Sequence, residues 1–156
     1  MVSIIIPVFI WQHVLQRCVD SVSKQSYREL EIILVDDAST DNGATRKLVL
    51  QYEKEYPDTI IVCLLEQNLR QGGARNTGIS YAGGEYLVFC DADDWLALEA
   101  VDHLYQHARQ CDADVVQFQI KAVNDRSNSS CLNAKERRNS YLLELVTEED
   151  HKHFLL

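Results

Sequence analysis

The sequence predicts an α/β protein in which helices flank a mostly parallel sheet. Two observations support this prediction: short runs rich in β-branched residues alternate with segments of helical period, and two of the runs end in aspartates. The chain has 156 residues, of which 46% are hydrophobic and 25% are charged. These values are typical of a globular domain long enough to bury a core.

Five strands are predicted, each from a short run of Val, Ile, Leu or aromatic residues. They cover residues 2–7, 31–36, 59–65, 85–90 and 114–120. Apolar stripes of helical spacing over residues 14–22 and 98–108 predict two helices that pack against this sheet. The alternation of strands and helices is the pattern of a parallel sheet.

Local signals place two further helices. Residues 42–56 form one of them, with Asp41 as its N-cap or an adjacent turn residue and Pro57 as its stop signal. Gly72 and Gly73 predict a loop that leads into a short helix over residues 74–82, which ends at the glycines that follow.

Beyond residue 120 the composition becomes polar and charged. We therefore divide the chain into a core of residues 1–123 and a segment of residues 124–156 that starts as a surface connection. Within the second segment, residues 141–146 and 147–156 are interpreted as two helical pieces, the latter opening with a capping arrangement.

The charge balance excludes one class of partner. Lys and Arg number 15 against 24 Asp and Glu, a net charge of −9, so the overall field repels nucleic acid. A polyanionic small molecule could still bind through a bridging cation and local positive groups. Arg70 and Arg75 are the positive groups that most closely precede, in sequence, the acidic cluster described next.

That acidic cluster is the most informative feature of the chain. Asp91, Asp93 and Asp94 directly follow one apolar run, and Asp36 and Asp37 follow another. The carboxyl ends of parallel strands meet at one edge of a sheet, where ligands bind if the winding reverses. Carboxylate oxygens there suit a divalent cation and an anion held by it.

The cysteines and the N-terminal apolar run do not indicate a different class of site or a membrane protein. The five cysteines are scattered without CxxC spacing, so buried thiols are expected rather than disulfides or zinc. The first apolar run is too short to span a bilayer and has no basic segment before it. We expect a cytoplasmic protein without a transmembrane segment, with peripheral association at the inner membrane face as a variant of that location.

Three ordered motifs carry a family resemblance. They read SIIIPVF, LEIILVDDASTD and EQNLRQGGARNTGISYAGGEYLVFCDADDW, and the match extends over about residues 2–119. In order and separation they resemble glycosyltransferase family 2, whose nucleotide-sugar-binding part has the Rossmann-like GT-A fold. A lone DxD sequence would be weak, whereas this ordered set is specific.

The resemblance implies a role for each matching residue. Pro7 and Phe9 would form the floor under the base, Asp37 would accept a hydrogen bond from it, and Asp36 would support the loop. Arg75 would approach the base or the diphosphate. The DxD aspartates would complete the site: Asp91 toward the ribose and the metal, Asp93 as a direct ligand of Mn2+ or Mg2+, and Asp94 as a third candidate ligand or neighbour.

The implied activity is metal-dependent transfer of a sugar, with inversion, from a nucleoside-diphosphate sugar, UDP-linked by expectation, to a saccharide or lipid-linked acceptor. Such transfer builds polysaccharides or glycoconjugates. A catalytic base is not identified, and Glu149 and Asp150 are weak candidates that helix capping also explains.

Two departures from the family pattern leave alternatives open. Phe9 and Ile10 stand where Tyr and Asn are common, which leaves the choice of nucleotide open. The family's later segment, which carries the catalytic base and most of the acceptor site, is expected to be absent from this sequence, and residues 124–156 are interpreted as the start of an incomplete acceptor-side segment. The alternative function is therefore a truncated domain that binds sugar nucleotide and metal without transfer.

Overall fold

The computed structural model describes residues 1–10, 13–122 and 141–145, with side chains described as far as residue 118. Its elements, in chain order, are β1 (Val2–Val8), α1 (Leu15–Ser23), β2 (Leu30–Asp36), α2 (Ala44–Glu55), β3 (Ile60–Leu64), α3 (Arg70–Tyr81), β4 (Tyr86–Phe89), α4 (Ala100–Cys111), β5 (Phe118–Ala122) and β6 (Tyr141–Leu145).

Four strands form a parallel sheet in the order β3-β2-β1-β4. In the register of this sheet, Ile4 of β1 lies between Ile32 of β2 and Val88 of β4. The chain winds outward from β1 to β3 and then returns to add β4 on the other side of β1. The winding therefore reverses between β1 and β4, where a crevice opens in sheets of this kind.

The core has two layers because alternate residues of each strand face opposite sides of the sheet. On one face, Ile4 and Ile6 join one hydrophobic cluster with residues of α1, α2 and α4, Leu15 and Val49 among them. On the other face, Ile5 belongs to a smaller cluster that includes Ala74 of α3. Helices thus cover both faces of the sheet, as the sequence predicted.

The N-cap of α2 is Gly43, so Asp41 has the predicted role of an adjacent turn residue and not that of the N-cap. One carboxylate oxygen of Asp41 accepts hydrogen bonds from the backbone N–H of Thr45, at 3.0 Å, and from its hydroxyl, at 2.5 Å. These bonds lower the pKa of Asp41, the hydroxyl contributing most, because they favour the charged carboxylate.

The predicted loop at Gly72 and Gly73 is wrong, because α3 already begins at Arg70 and contains both glycines. Close packing explains part of the glycine content of this helix. A Cβ on Gly78 would collide with Cγ2 of Ile5, so the absent side chain lets α3 lie directly on β1. Gly78 therefore reflects close packing of α3 on β1, and Gly72 and Gly73 lie within the helix and not in a loop.

Two predictions for the end of the chain are also wrong. The segment predicted as a fifth strand of the parallel sheet forms β5 from Phe118 onward and pairs antiparallel with β6 in a separate two-stranded sheet. Residues 141–145 were predicted to be helical and instead form β6. A five-residue apolar run does not distinguish strand from helix by periodicity alone. The helical piece at residues 147–156 lies outside the described residues, and the domain boundary at 123 stays a prediction.

The buried thiols are confirmed for Cys18, Cys63 and Cys90, whereas Cys111 is exposed. The sulfurs of Cys18 and Cys90 lie 3.7 Å apart, and their contact, together with burial, raises the pKa of Cys90 well above its usual value. Cys90 is therefore a neutral thiol in the core.

Candidate functional site

A cavity of about 470 Å³ opens at the carboxyl edge of the parallel sheet. Segments that follow all four strands line it: Pro7, Val8 and Phe9 from β1, Asp37 after β2, Asn68, Arg70 and Gln71 after β3, and Asp91, Ala92 and Asp93 after β4. The two acidic segments therefore share one cavity, as the position of their strands predicted.

Asp36 and Asp37 are both buried, with 3% of their surface exposed, but their carboxylates have different roles. Asp36 accepts the backbone N–H of Ser39 at 3.1 Å and so stabilises the turn after β2. Asp37 accepts the backbone N–H of Leu69 at 2.6 Å, and its own N–H donates to the carbonyl of Val8. It thereby ties together the segments after β1, β2 and β3 while lining the cavity.

Asp91 is held by two side chains of α3. Its Oδ1 atom accepts hydrogen bonds from Nε2 of Gln71, at 2.9 Å, and from Nη2 of Arg75, at 2.7 Å. The guanidinium of Arg75 also lies 5.6 Å from the ring centre of Phe89 and is not part of the cavity lining. Contact of Arg75 with a base or diphosphate stays a prediction; what the structure shows is that it orients Asp91.

Asp93 and Asp94 differ in their surroundings. Asp93 lines the cavity, and among the described residues its carboxylate has no hydrogen bond or ion pair. Asp94 does not line the cavity. The pKa of Asp94 is raised to about 6, mainly by burial and also by the negative charges of Asp93 and Asp91, against the opposing charge of Arg17. The acidic segment therefore concentrates negative charge that a cation would relieve.

This donor set fits a hard divalent cation only in part. Among the described residues, no group of three or more His, Cys, Asp or Glu side chains is arranged to hold a metal ion. A magnesium-type site, however, commonly uses one or two carboxylates and takes its other ligands from water and substrate phosphates. The free carboxylate of Asp93 and the second oxygen of Asp91 match that requirement.

Three residues near the cavity have an unusual backbone. Ile10, Ala38 and Arg70 have φ angles of 58°, 55° and 62°, in the left-handed region that residues other than glycine seldom adopt. They lie in the segments that follow β1, β2 and β3, and the N–H of Ile10 donates to Oγ of Ser39 at 3.1 Å. Strained backbone of this kind is concentrated at functional sites.

The structure thus brings together Pro7, Phe9, Asp37, Asp91 and Asp93 of the predicted site. Asp36, Arg75 and Asp94 lie beside the cavity without lining it, and Glu149 and Asp150 lie outside the described residues. Asn68 and Gln71 were not predicted. The signal that could have indicated them is their position after a third parallel strand, which ends at the same edge of the sheet.

In the part of the chain that the structure describes, every helix is too short or too polar to cross a bilayer.

A parallel sheet with an acidic crevice at the point where the winding reverses defines the class of α/β proteins that bind ligands at the carboxyl edge. Comparison with known proteins narrows the class. The family model described as glycosyl transferase family 2 matches residues 3–154. The chain belongs to this family, and the parallel sheet with its helices is the GT-A fold of its structural neighbours.

Among curated relatives, a poly(ribitol-phosphate) beta-glucosyltransferase of Bacillus spizizenii is 33% identical over 80% of this chain and 20% of its own length. A GalNAc(5)-diNAcBac-PP-undecaprenol beta-1,3-glucosyltransferase of Campylobacter jejuni is 37% identical over 72% of this chain and 36% of its own. The chain therefore spans between a fifth and about two fifths of the length of these relatives.

Solved structures agree with the family assignment. S. aureus TarS in complex with UDP-GlcNAc superposes with a TM-score of 0.70 at 28% identity, covering 83% of this chain and 37% of that one. The mannosyltransferase PcManGT of Pyrobaculum calidifontis, in complex with GDP-Man and Mn2+, gives a TM-score of 0.64 at 26% identity, covering 80% and 36% of the two chains.

Proposed function

We propose that this chain carries the donor-binding part of a metal-dependent glycosyltransferase that moves a sugar from a nucleoside-diphosphate sugar to an acceptor hydroxyl. One observation carries the proposal: Asp37, Asp91 and Asp93 line a single cavity although they follow different strands. Membership of glycosyltransferase family 2 supports the reaction class.

The nucleoside would occupy the side of the cavity formed by β1 and β2. Pro7 and Phe9 offer an apolar floor, and Phe9 is 37% exposed, so its ring is available to a planar base. Oδ1 of Asp37 already accepts a backbone N–H, which leaves Oδ2 to accept a hydrogen bond from the base. The imide N–H of uracil is such a donor, so UDP-sugars are the first donors to test.

The diphosphate would lie toward the DxD segment. Asp93 and the free oxygen of Asp91 would hold Mn2+ or Mg2+, and Gln71 and Arg75 would keep Asp91 in place through its other oxygen. When bound, the cation supplies Lewis-acid stabilisation to the charge that develops on the departing diphosphate. Asp94 interacts electrostatically with Asp91 and Asp93 and would add to the negative potential of this pair.

Transfer would proceed by direct displacement with inversion. The acceptor oxygen attacks the anomeric carbon, the bond from that carbon to the diphosphate oxygen breaks, and a carboxylate takes the hydroxyl proton. Glu149 and Asp150 remain weak candidates for that carboxylate. The relatives suggest saccharide or lipid-linked acceptors, since one of them is named for an undecaprenol-diphosphate-linked substrate. Polysaccharide or glycoconjugate synthesis at the cytoplasmic membrane face is the corresponding setting.

The experiment is incubation of the full chain with UDP-glucose, UDP-GlcNAc, UDP-galactose and GDP-mannose, with Mn2+ or with EDTA. Release of nucleoside diphosphate is measured together with binding by calorimetry. Metal-dependent release supports the glycosyltransferase. Metal-dependent binding without release indicates a non-catalytic sugar-nucleotide-binding domain, and absence of binding to every donor contradicts both functions.

A further inference from the structure

Arg70 is a positively charged residue in the lining of the acidic cavity. It is the first residue of α3, follows β3 in the chain, and lines the same cavity as Asp91 and Asp93. Its side chain is exposed to the cavity and to solvent.

The guanidinium of Arg70 is available to a ligand, in contrast to that of Arg75. Arg75 pairs with Asp91 at 2.7 Å, whereas among the described residues no carboxylate pairs with Arg70. Three carboxylates line the same cavity, yet none of them binds this guanidinium. A planar guanidinium with free donors recognises phosphate or carboxylate oxygens through paired hydrogen bonds.

The backbone of Arg70 is held in a costly conformation. Its φ of 62° lies in the left-handed region, which is unfavourable for a residue other than glycine. The side chain of Asn68 stabilises this conformation, because its Oδ1 accepts the backbone N–H of Arg70 at 3.0 Å. The structure thus fixes the point from which the Arg70 side chain enters the cavity.

The charges in the cavity indicate which group of the ligand the guanidinium of Arg70 would bind. In the cavity, Asp91 is neutralised by Arg75, and a divalent cation on Asp93 would leave one positive charge for the ligand. The diphosphate of a sugar nucleotide carries about two negative charges. The third lining carboxylate, Asp37, adds a further negative charge, so more positive charge is needed to neutralise the diphosphate, and among the described lining residues Arg70 is the one that carries it.

We infer that Arg70 is a donor-binding residue whose guanidinium contacts the diphosphate of the sugar nucleotide. This inference rests on the proposed function and deepens it, because it assigns recognition of the diphosphate to a residue outside the DxD segment. The contact would act on the phosphates and not on the base, so it would distinguish a nucleoside diphosphate from its monophosphate and nucleoside.

The test compares the full chain with Arg70→Gln by calorimetry in Mn2+, using UDP, UMP and uridine, with the guanine series in parallel. Gln keeps a side chain of similar length and the same backbone constraint but removes the charge. The expected result is about ten-fold weaker binding of the nucleoside diphosphate, a smaller loss for the monophosphate and unchanged binding of the nucleoside. Arg46→Gln, an exposed residue of α2, is the charge-matched control and is expected to bind like the original chain.

Arg70→Gly separates binding from folding. Glycine adopts the left-handed backbone without penalty, so this variant should be at least as stable as the original chain while binding the diphosphate weakly. Equal diphosphate affinity in Arg70→Gln and the original chain would overturn the inference and leave the proposed function standing. Absence of nucleotide binding by the original chain itself would overturn both.

Discussion

The two edges of the parallel sheet use polar groups in opposite ways. At the amino edge, Oγ of Ser3 donates to Glu31 at 2.6 Å, Gly83 N–H donates to the same carboxylate, and Gly84 N–H donates to Oγ of Ser3. At the carboxyl edge, Asp93 has no partner among the described residues. The polar groups named at the amino edge hydrogen-bond to one another within the fold. At the carboxyl edge, the carboxylate of Asp93 is left available for a ligand.

The backbone shows the same difference. Left-handed residues other than glycine occur in the segments after β1, β2 and β3, whereas Gly83 and Gly84 at the amino edge do not have positive φ. Substitutions at the amino edge should therefore change the stability of the fold and leave ligand binding intact. Substitutions at the carboxyl edge should weaken ligand binding and leave stability intact, because the backbone strain and the unpaired carboxylate there serve the site at the expense of stability.

The largest expected effect is loss of metal-dependent nucleotide binding in Asp93→Ala. The variant removes the one cavity carboxylate without a partner in the described structure, so affinity for a nucleoside diphosphate in Mn2+ should fall by more than about 100-fold. Thermal unfolding should be unchanged or improved, because repulsion with Asp94 is relieved. Asp58→Asn, an exposed residue before β3, removes a similar charge as a control, and unchanged affinity in Asp93→Ala would show that Asp93 is not a ligand.

At the amino edge, Gly84→Ala should destabilise the fold by about 2 kcal/mol through overpacking. A Cβ there would lie 2.7 Å from the backbone nitrogen of Ser3 and 3.0 Å from the carbonyl carbon of Val2, and neither can move without shifting β1. Gly83→Ala is the matched control, since its nearest contact would be an ordinary 3.4 Å. Urea unfolding measures the difference. Weaker nucleotide binding below the transition would contradict the separation of the two edges.

A smaller loss of binding is expected for Gln71→Ala. This substitution removes one of the two donors to Oδ1 of Asp91 and leaves Arg75, so nucleoside diphosphate affinity should fall about five-fold. Gln67→Ala changes an exposed glutamine of the same connection and should bind normally. Equal affinities in the two variants would mean that Arg75 alone positions Asp91.

The smallest expected effect is on the pH dependence of stability and comes from Asp41, which accepts hydrogen bonds from Thr45 at the start of α2. Because the folded-state pKa of Asp41 is lowered, its contribution to stability is complete above its unfolded pKa and is lost as pH falls through the folded value. Asp41→Ala should therefore lower the melting temperature at pH 7 and differ less from the original chain at strongly acidic pH. A difference that grows on acidification would contradict this assignment, with Asp58→Asn again as the control.

The candidate site was predictable to the extent that it depends on strand ends. Asp37 and Asp93 could be assigned to one crevice because parallel strands place their carboxyl ends at one edge, and the cavity confirms this. Gln71 could not be predicted, because its bond to Asp91 depends on where α3 lies on the sheet. The position of α3 in turn depends on Gly78, which packs against Ile5 of β1. The local sequence predicts that Gly78 is helical, but it does not predict this packing partner.

By itself, the sequence determined the parallel sheet, the apolar faces of α1 and α4 and the two acidic strand ends, because these follow from residue periodicity and from the direction of the strands. Tertiary structure alone decided that Arg75 faces Asp91 while Arg70 faces the cavity, and that residues 141–145 pair with β5 as a strand. The physical reason is the same in each case. Local pattern fixes which side of an element is apolar, whereas the partner of a polar side chain or a short strand depends on groups distant in the chain.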